Sequence, residues 1–320
     1  GLIVTKVYGW LLLKALGPAV PLAAVACWSP RAAGLLVPCG LAAWAARVAL
    51  DGVEFREGRA DPEFSQSNWL LQLLRQYLQI RLHGTEQVQD QLLKATTTGQ
   101  AIFACFPHGV NSDFRVLVDG MLYSKFSKVV EKAPVRTLAA GVLFKLPLTR
   151  DTCLKTGCVD AGRATAQRVL RKGFSVLVLP GGEAEQVETI CGRERVFLKK
   201  RFGFIRLAII HGVPVVPVYV FGCSDLYGTS RFLQGFRTWV VQKFQLCIPL
   251  FWGRGGIFLG FPLPVPQNVV FGAPLIFPQN DNPSTEQIAA AHGDFVAALT
   301  ALFDEEKAKF GYGDRQLEVL

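Results

Sequence analysis

Ala101-Ile102-Phe103-Ala104-Cys105-Phe106-Pro107-His108-Gly109-Val110-Asn111-Ser112-Asp113 is the stretch from which the rest of the chain is read. Six apolar residues run into a Pro-His-Gly turn, and a polar stretch then ends in a carboxylate. A short, continuous apolar run bounded by turn residues fits a strand buried on both faces. In α/β sheets, the groups that do chemistry stand just past the ends of such strands. Pro107 restricts the backbone ahead of His108 and Gly109 frees it behind, which suits a fixed imidazole. Asp113 stands at the expected start of a helix over residues 113–124. It can accept the proton of one ring nitrogen, leaving the other as general base toward a substrate hydroxyl. It can equally cap the helix behind a simple turn histidine. The spacing alone does not choose between these.

Outward from this turn, strands and helices alternate. Strands are expected over residues 101–106, 135–139, 175–179, 215–221 and 269–271. Helices are expected from Asp160 to about Arg171, over 204–211 closed by Gly212, and along a C-terminal segment opened by a Ser284/Gln287 capping box. This alternation predicts an α/β layered domain with a mostly parallel sheet over residues 100–320. A second loop, Pro180-Gly181-Gly182 with Glu183 and Glu185, follows the 175–179 strand. Adjacent glycines allow backbone N–H groups to face an anion, and they also make plain tight turns. Arg193, Arg195, Lys199, Lys200 and Arg201 come next, either as a phosphate site or as a solvated basic face. Arg150 can contact phosphate or pair with an acid such as Asp151. Residues 243–264, apolar and broken by Gly and Pro, read as the lining of a lipid entrance or as a core segment.

Before residue 100 the chain is different. Residues 1–50 hold Lys6, Lys14, Arg31 and Arg47 and no acid, while the remainder holds 30 of the 34 bases and all 25 acids. Two apolar segments of 16 and 15 residues flank Arg31, and Pro18, Pro21, Pro30 and Pro38 interrupt them. Each is shorter than the roughly 20 residues of a straight membrane span. A hydrophobic helical hairpin that enters the bilayer and returns is therefore expected over 1–50, with two tight spans or a buried soluble hairpin as alternatives. Residues 51–99 read as a linker and an amphipathic helix around 67–78, which faces either the membrane interface or the core.

Composition narrows the class. Half of the 320 residues are apolar, 18% are charged and the formal net charge is +9. No zinc-finger spacing, RNA-binding signature or long basic run points to nucleic acid. The eight cysteines include no C-x-x-C pair and read as reduced thiols. No G-x-S-x-G elbow, metalloprotease helix, Walker loop or dinucleotide fingerprint is present, so neither a metal nor a resident cofactor is expected. Greasiness combined with basicity favours a membrane surface and a phosphate-bearing substrate.

The motifs then fall into a known order. His108 to Asp113 resembles block I of the glycerolipid acyltransferases, residues 141–150 their block II, and Val213-Pro214-Val215-Val216-Pro217-Val218 their block IV. The chain more closely resembles the type 2 diacylglycerol acyltransferase family. Pro107-His108-Gly109 matches the core of that family's His-Pro-His-Gly motif, Arg150-Asp151-Thr152 its Arg-Asp-Thr turn, and Gly181, Gly182 and Glu185 its Gly-Gly-x-x-Glu loop. Phe106 stands where the family has its first His, and Asp113 belongs to the glycerophosphate acyltransferase pattern instead. The resemblance implies a glycerolipid-acyltransferase-like domain that moves a fatty acyl group from acyl-CoA to an acylglycerol. It puts that reaction at the cytosolic face of the endoplasmic reticulum or at a lipid droplet, with membrane lipids as partners, and admits a homo-oligomer. It implies His108 and Asp113 as catalytic, and Pro107, Gly109, Arg150, Gly181, Gly182, Glu185 and Arg201 as substrate-binding. Diacylglycerol is the first acceptor expected, with monoacylglycerol, wax alcohol and lysophospholipid as alternatives. A non-catalytic lipid-droplet coat or lipid-transfer protein is the reading from another class.

Overall fold

Ile102–Phe106 is buried at every position, as an internal strand of a parallel sheet requires. The computed structural model describes residues 30–146, 149–244 and 247–320. Its strands are β1 (Arg81–His83), β2 (Ile102–Phe106), β3 (Val135–Ala139), β4 (Cys158–Asp160), β5 (Ser175–Val178), β6 (Glu194–Val196), β7 (Val215–Phe221), β8 (Gly228–Thr229), β9 (Phe251–Trp252), β10 (Asn268–Phe271) and β11 (Leu317–Val319). Seven form one sheet in the order β1-β10-β7-β2-β5-β3-β4. Every neighbouring pair is parallel except β10 against β7. The fold is therefore mixed α/β with a mostly parallel sheet. Short ladders β6–β11 and β8–β9 lie outside it.

Alternation along each strand builds two cores. From β2, Phe103 and Cys105 face one side with Val216, Val218 and Val220 of β7. Ile102, Ala104 and Phe106 face the other with Val215, Tyr219 and Phe221. Helices Trp69–Tyr77, Thr85–Ala95 and Phe114–Lys125 cover the first face through Leu70, Leu71, Val88, Leu92, Leu117 and Leu122. Helices Arg163–Arg171, Gly203–His211 and Thr285–Glu306 cover the second through Val169, Ile205, Ile209, Phe295, Leu299 and Phe303. Each such fully buried side chain contributes roughly 1.5–3 kcal/mol, so the sheet is held firmly from both sides.

Local chemistry sets several ends. Gly212 closes the helix Gly203–His211 at φ 61°, a conformation that suits glycine. The Ser284 hydroxyl accepts from the Gln287 N–H at 3.1 Å. Only half of the capping box forms, because the Gln287 side chain accepts from Asn280 instead. Asp160 does not cap a helix: it ends β4, its carboxylate accepts from the Gly162 N–H at 2.8 Å, and the helix starts at Arg163.

Part of residues 51–99 joins the sheet domain, since β1 pairs with β10. Tyr77 and Leu78 are buried there, and the Tyr77 hydroxyl donates to the Pro262 carbonyl at 2.8 Å, which answers the 67–78 segment as a core helix. The first part of the expected hairpin, up to residue 29, lies outside the described residues. Pro30–Asp51 is one 22-residue helix with Pro38 inside it. No helix of the described residues is long and apolar enough to cross a membrane. Its end is tied to the domain, where Trp44 donates to the Lys145 carbonyl at 3.1 Å and Arg47 pairs with Asp151 at 3.3 Å. The 243–264 region is neither a span nor simple core: Gln234–Phe244 is a helix, and β9 and a turn follow it.

Candidate active site

Because β2, β5 and β7 are parallel neighbours, three loops leave the same edge of the sheet. They carry His108, the Gly181-Gly182 pair, and Cys223 with Tyr227. Pro107 follows a cis peptide bond. Gly109 adopts φ +64°, and a Cβ there would lie 2.5 Å from the Cys223 sulfur, so only glycine lets the two loops approach.

Glu185 joins the second loop to the first. Its buried carboxylate accepts from the backbone N–H of His108 and from that of Phe197 at 2.7 Å. Gly181 makes room for it, since a Cβ at that position would sit 2.1 Å from the Glu185 carboxylate. Burial raises Glu185 to about 7, although both N–H donors and nearby Arg201 pull the other way. The Gly182 N–H donates to the Leu179 carbonyl at 3.2 Å, so that amide is used inside its own turn. The double glycine therefore positions Glu185, and the Gly182 amide is not an oxyanion donor.

The ring of His108 has a defined tautomer. Nδ1 lies 3.0 Å from the Gly109 carbonyl, which can only accept, so Nδ1 carries the proton. Nε2 is then the basic nitrogen, 2.9 Å from the Ser112 hydroxyl. That hydroxyl is also 3.0 Å from Nδ1 and belongs to a buried residue at φ +52°. Burial lowers His108 to about 4, with the positive charge of Arg115 adding to it against the Gly109 carbonyl. The imidazole is thus neutral at physiological pH.

Asp113 is not the partner of this ring. Its carboxyl faces the hydroxyl of Tyr227, which also meets Asn111, and its Oδ2 is buried without a hydrogen bond. Burial raises Asp113 to about 6. The expected His–Asp pair does not form a hydrogen bond; Nδ1 meets the Gly109 carbonyl instead. Asp113 does not cap the helix with its side chain either.

Ser112, Asp113, Arg115, Tyr227, Leu78 and Leu259 are among the lining of a cavity of about 400 Å³. A more open depression of about 500 Å³ beside Glu188 and Trp239 contains none of these groups. Tyr227, Ser112 and Arg115 were not singled out by sequence reasoning. Ser112 and Arg115 lie in or beside the histidine motif, whereas Tyr227 has no local signal beyond following β7.

Arg150 is elsewhere. It is fully buried and pairs with Glu54 at 2.7 Å and Asp51 at 2.9 Å, so it presents no face to a phosphate. Arg201 remains at the edge of the site, donating to the Gly181 carbonyl at 3.0 Å with its guanidinium over Phe197. Its Nε is buried and unpartnered.

Residues 44–320 match the diacylglycerol acyltransferase family. The chain is 32% identical to diacylglycerol O-acyltransferase 1 of Eremothecium gossypii over 237 residues, which cover 71% of this chain and 51% of that protein. It is 33% identical to acyl-CoA wax alcohol acyltransferase 2 of Homo sapiens over 234 residues, 68% of this chain and 69% of that one. It is 30% identical to diacylglycerol O-acyltransferase 2 of Homo sapiens over 269 residues, 78% and 66% of the two chains. The match thus spans about half the length of the Eremothecium relative. With this match running from within the first described helix through residue 320, the chain belongs to the diacylglycerol acyltransferase family.

Proposed function

We propose that this chain transfers a fatty acyl group from acyl-CoA to a hydroxyl of an acylglycerol, with diacylglycerol as acceptor and triacylglycerol as product. The observation that carries this reading is the neutral His108, whose Nε2 meets the hydroxyl of Ser112 in the lining of a largely apolar cavity. Such a nitrogen can take the proton of an acceptor hydroxyl as its oxygen attacks the thioester carbonyl. Glu185 supports it by fixing the His108 backbone. Coenzyme A leaves as the thiol, and acyl-CoA is substrate, with no resident cofactor in the scheme. Arg201, beside the Gly-Gly loop, is the candidate contact for its phosphates. The domain is read as glycerolipid-acyltransferase-like, on the order of its motifs.

A neutral acceptor is dissolved in lipid, so the site works against a bilayer. Phe232, Phe236, Trp239, Phe244, Ile257 and Leu259 are each more than half exposed, and Leu259 also lines the cavity. Single exposed apolar residues need no explanation, whereas a group of exposed aromatic ones on and just before the helix Gln234–Phe244 favours a lipid surface. The cytosolic face of the endoplasmic reticulum or a lipid droplet, with the residues before 51 as a hydrophobic anchor, fits this reading. A wax alcohol is the second acceptor class, because a relative of similar identity carries that name.

Purified chain offered labelled acyl-CoAs with diacylglycerol, monoacylglycerol, long-chain alcohol and lysophosphatidate tests the proposal. Labelled triacylglycerol is expected, and none from His108→Ala. Ester formation on lysophosphatidate alone would replace the acceptor. No ester with any combination would end the enzymatic reading in favour of a lipid-binding protein.

A further inference from the structure

Among the described residues Arg115 has a buried Nε without a hydrogen bond, and its charge acts on the neighbouring Asp113 carboxyl. It occupies the first turn of the helix Phe114–Lys125, and its backbone N–H donates to the Ser112 carbonyl at 3.0 Å. Its side chain is half-buried and lines the cavity beside Ser112 and Asp113. Among the described residues the guanidinium makes no hydrogen bond or salt bridge, and its Nε is buried and unsatisfied. Other partly or fully buried arginines are bonded: Arg75 to the Leu117 and Ser65 carbonyls, Arg150 to Asp51 and Glu54, Arg195 to Glu188, and Arg315 to Glu194 and Asp225. Helix stability does not account for Arg115, because a cation in the first turn opposes the positive N-terminal end of the helix dipole. Guanidinium and helix end instead add positive potential at a wall of the mostly apolar cavity that they share with the Asp113 carboxyl, whose ionised form Arg115 favours. A desolvated site of that kind favours negative charge.

We propose that Arg115 is the electrostatic partner of the oxyanion formed during acyl transfer. The inference rests on the acyl-transfer reading above. The acceptor oxygen gives an electron pair to the thioester carbon while its proton passes to Nε2 of His108. The π pair of the carbonyl moves onto its oxygen, beside Arg115. When the carbonyl re-forms, the C–S bond breaks, and the departing thiolate takes the proton back from the imidazolium. One imidazolium and one oxyanion are thus made and unmade in each turnover. Arg115 lowers the cost of the second, in the place the Gly182 amide cannot fill. Its charge also reaches His108 and helps to keep that base unprotonated before reaction.

Full-length Arg115→Gln and Arg115→Lys test this with labelled acyl-CoA and diacylglycerol in mixed vesicles. Removing one oxyanion-stabilising group typically lowers kcat by about 10²–10³, and a loss of that size is expected for Arg115→Gln. The Michaelis constant for acyl-CoA should stay within about twofold, as for an interaction made only in the transition state. Lysine, which keeps the charge, should restore part of the rate. The other titratable or charged groups around the site are Glu185 on the His108 N–H, Cys223 against Gly109, and the Asp113–Tyr227 pair in the cavity lining. All are kept in these variants, so relief of the Arg115 charge should move the acid limb set by His108 to higher pH in Arg115→Gln. An unchanged kcat would overturn the proposal. So would a raised Michaelis constant for acyl-CoA with kcat intact, which would make Arg115 a phosphate contact. A lowered melting temperature with no rescue by lysine and an unmoved acid limb would make it structural. Failure of the wild-type chain to transfer acyl groups would remove the acyl-transfer reading itself, and is told apart by the wild-type assay.

Discussion

At the scale of single residues, what a side chain can do here is decided by what already holds it. Arg150 sits in the Arg-Asp-Thr turn expected to bind coenzyme A, yet both of its neighbours are acids of the chain, Asp51 and Glu54. Removing one member of a buried ion pair leaves the other charge uncompensated and costs about 3–5 kcal/mol. Arg150→Met is therefore expected to lower unfolding stability by about that amount while leaving the Michaelis constant for acyl-CoA unchanged in the folded fraction. Chemical denaturation and donor saturation, measured on one preparation, check both halves. A raised donor constant at wild-type stability would return Arg150 to the binding site. The sequence could not show this pairing, because Asp51 and Arg150 lie about a hundred positions apart. His108, Gly109, Gly181 and Glu185 were legible because their chemistry is local: turn glycines beside a strand end. What those residues do to one another was not. Glu185 reads as a ligand contact in a motif and as a clamp on the His108 N–H in three dimensions.

At the scale of elements, the strands with continuous apolar runs were read almost to the residue, as at Ile102–Phe106 and Val215–Phe221. Strands that lack such a run were missed. Arg81–His83 is short and polar and exists because β10 offers it a parallel edge. Cys158–Asp160 is three residues long, which made Asp160 look like a cap. The helix Gln234–Phe244 presents another case, because it exposes the residues that a soluble helix would bury. Phe236 stacks on Trp239 at 5.9 Å, and Phe244 meets Trp239 edge-on at 5.7 Å, all three more than half exposed. If this face meets lipid, replacing Phe236 and Trp239 with Glu should reduce binding to triacylglycerol-containing vesicles by at least about tenfold, which corresponds to only 1.4 kcal/mol of lost apolar burial. The melting temperature should hardly change, since exposed side chains contribute little to folding. Flotation of the variant and the wild type with vesicles measures it. Unchanged flotation would leave this face without a role at the bilayer.

At the scale of the whole molecule, the site burdens the fold with charge that burial opposes. Glu185 is raised to about 7, and Asp113 and Asp119 to about 6, each chiefly by burial. The unfolded chain gives up these protons near pH 4. Between that pH and each raised value the native chain holds protons that the unfolded chain has lost, so stability falls as pH rises. His108 works in the opposite sense. It is lowered from 6.5 to about 4, so over that interval the unfolded chain binds a proton the native chain refuses, and stability is lost as pH drops. His211 and His292, also lowered by burial, add to the same side. Below about pH 6.5 these contributions oppose one another. Above it the histidines are neutral in both states, Asp113 and Asp119 are largely ionised in both, and Glu185 is left to set the slope. The melting temperature should accordingly fall as pH is raised from about 6.5 to 8, levelling off once Glu185 is fully ionised. Glu185→Gln should be flat over the same interval, whatever its absolute stability, because no proton is then lost there. A scanning calorimetry series on both proteins decides it. A wild-type melting temperature that rises across this range would mean that Glu185 is ionised throughout, and that the two N–H donors from His108 and Phe197 outweigh the cost of burying it.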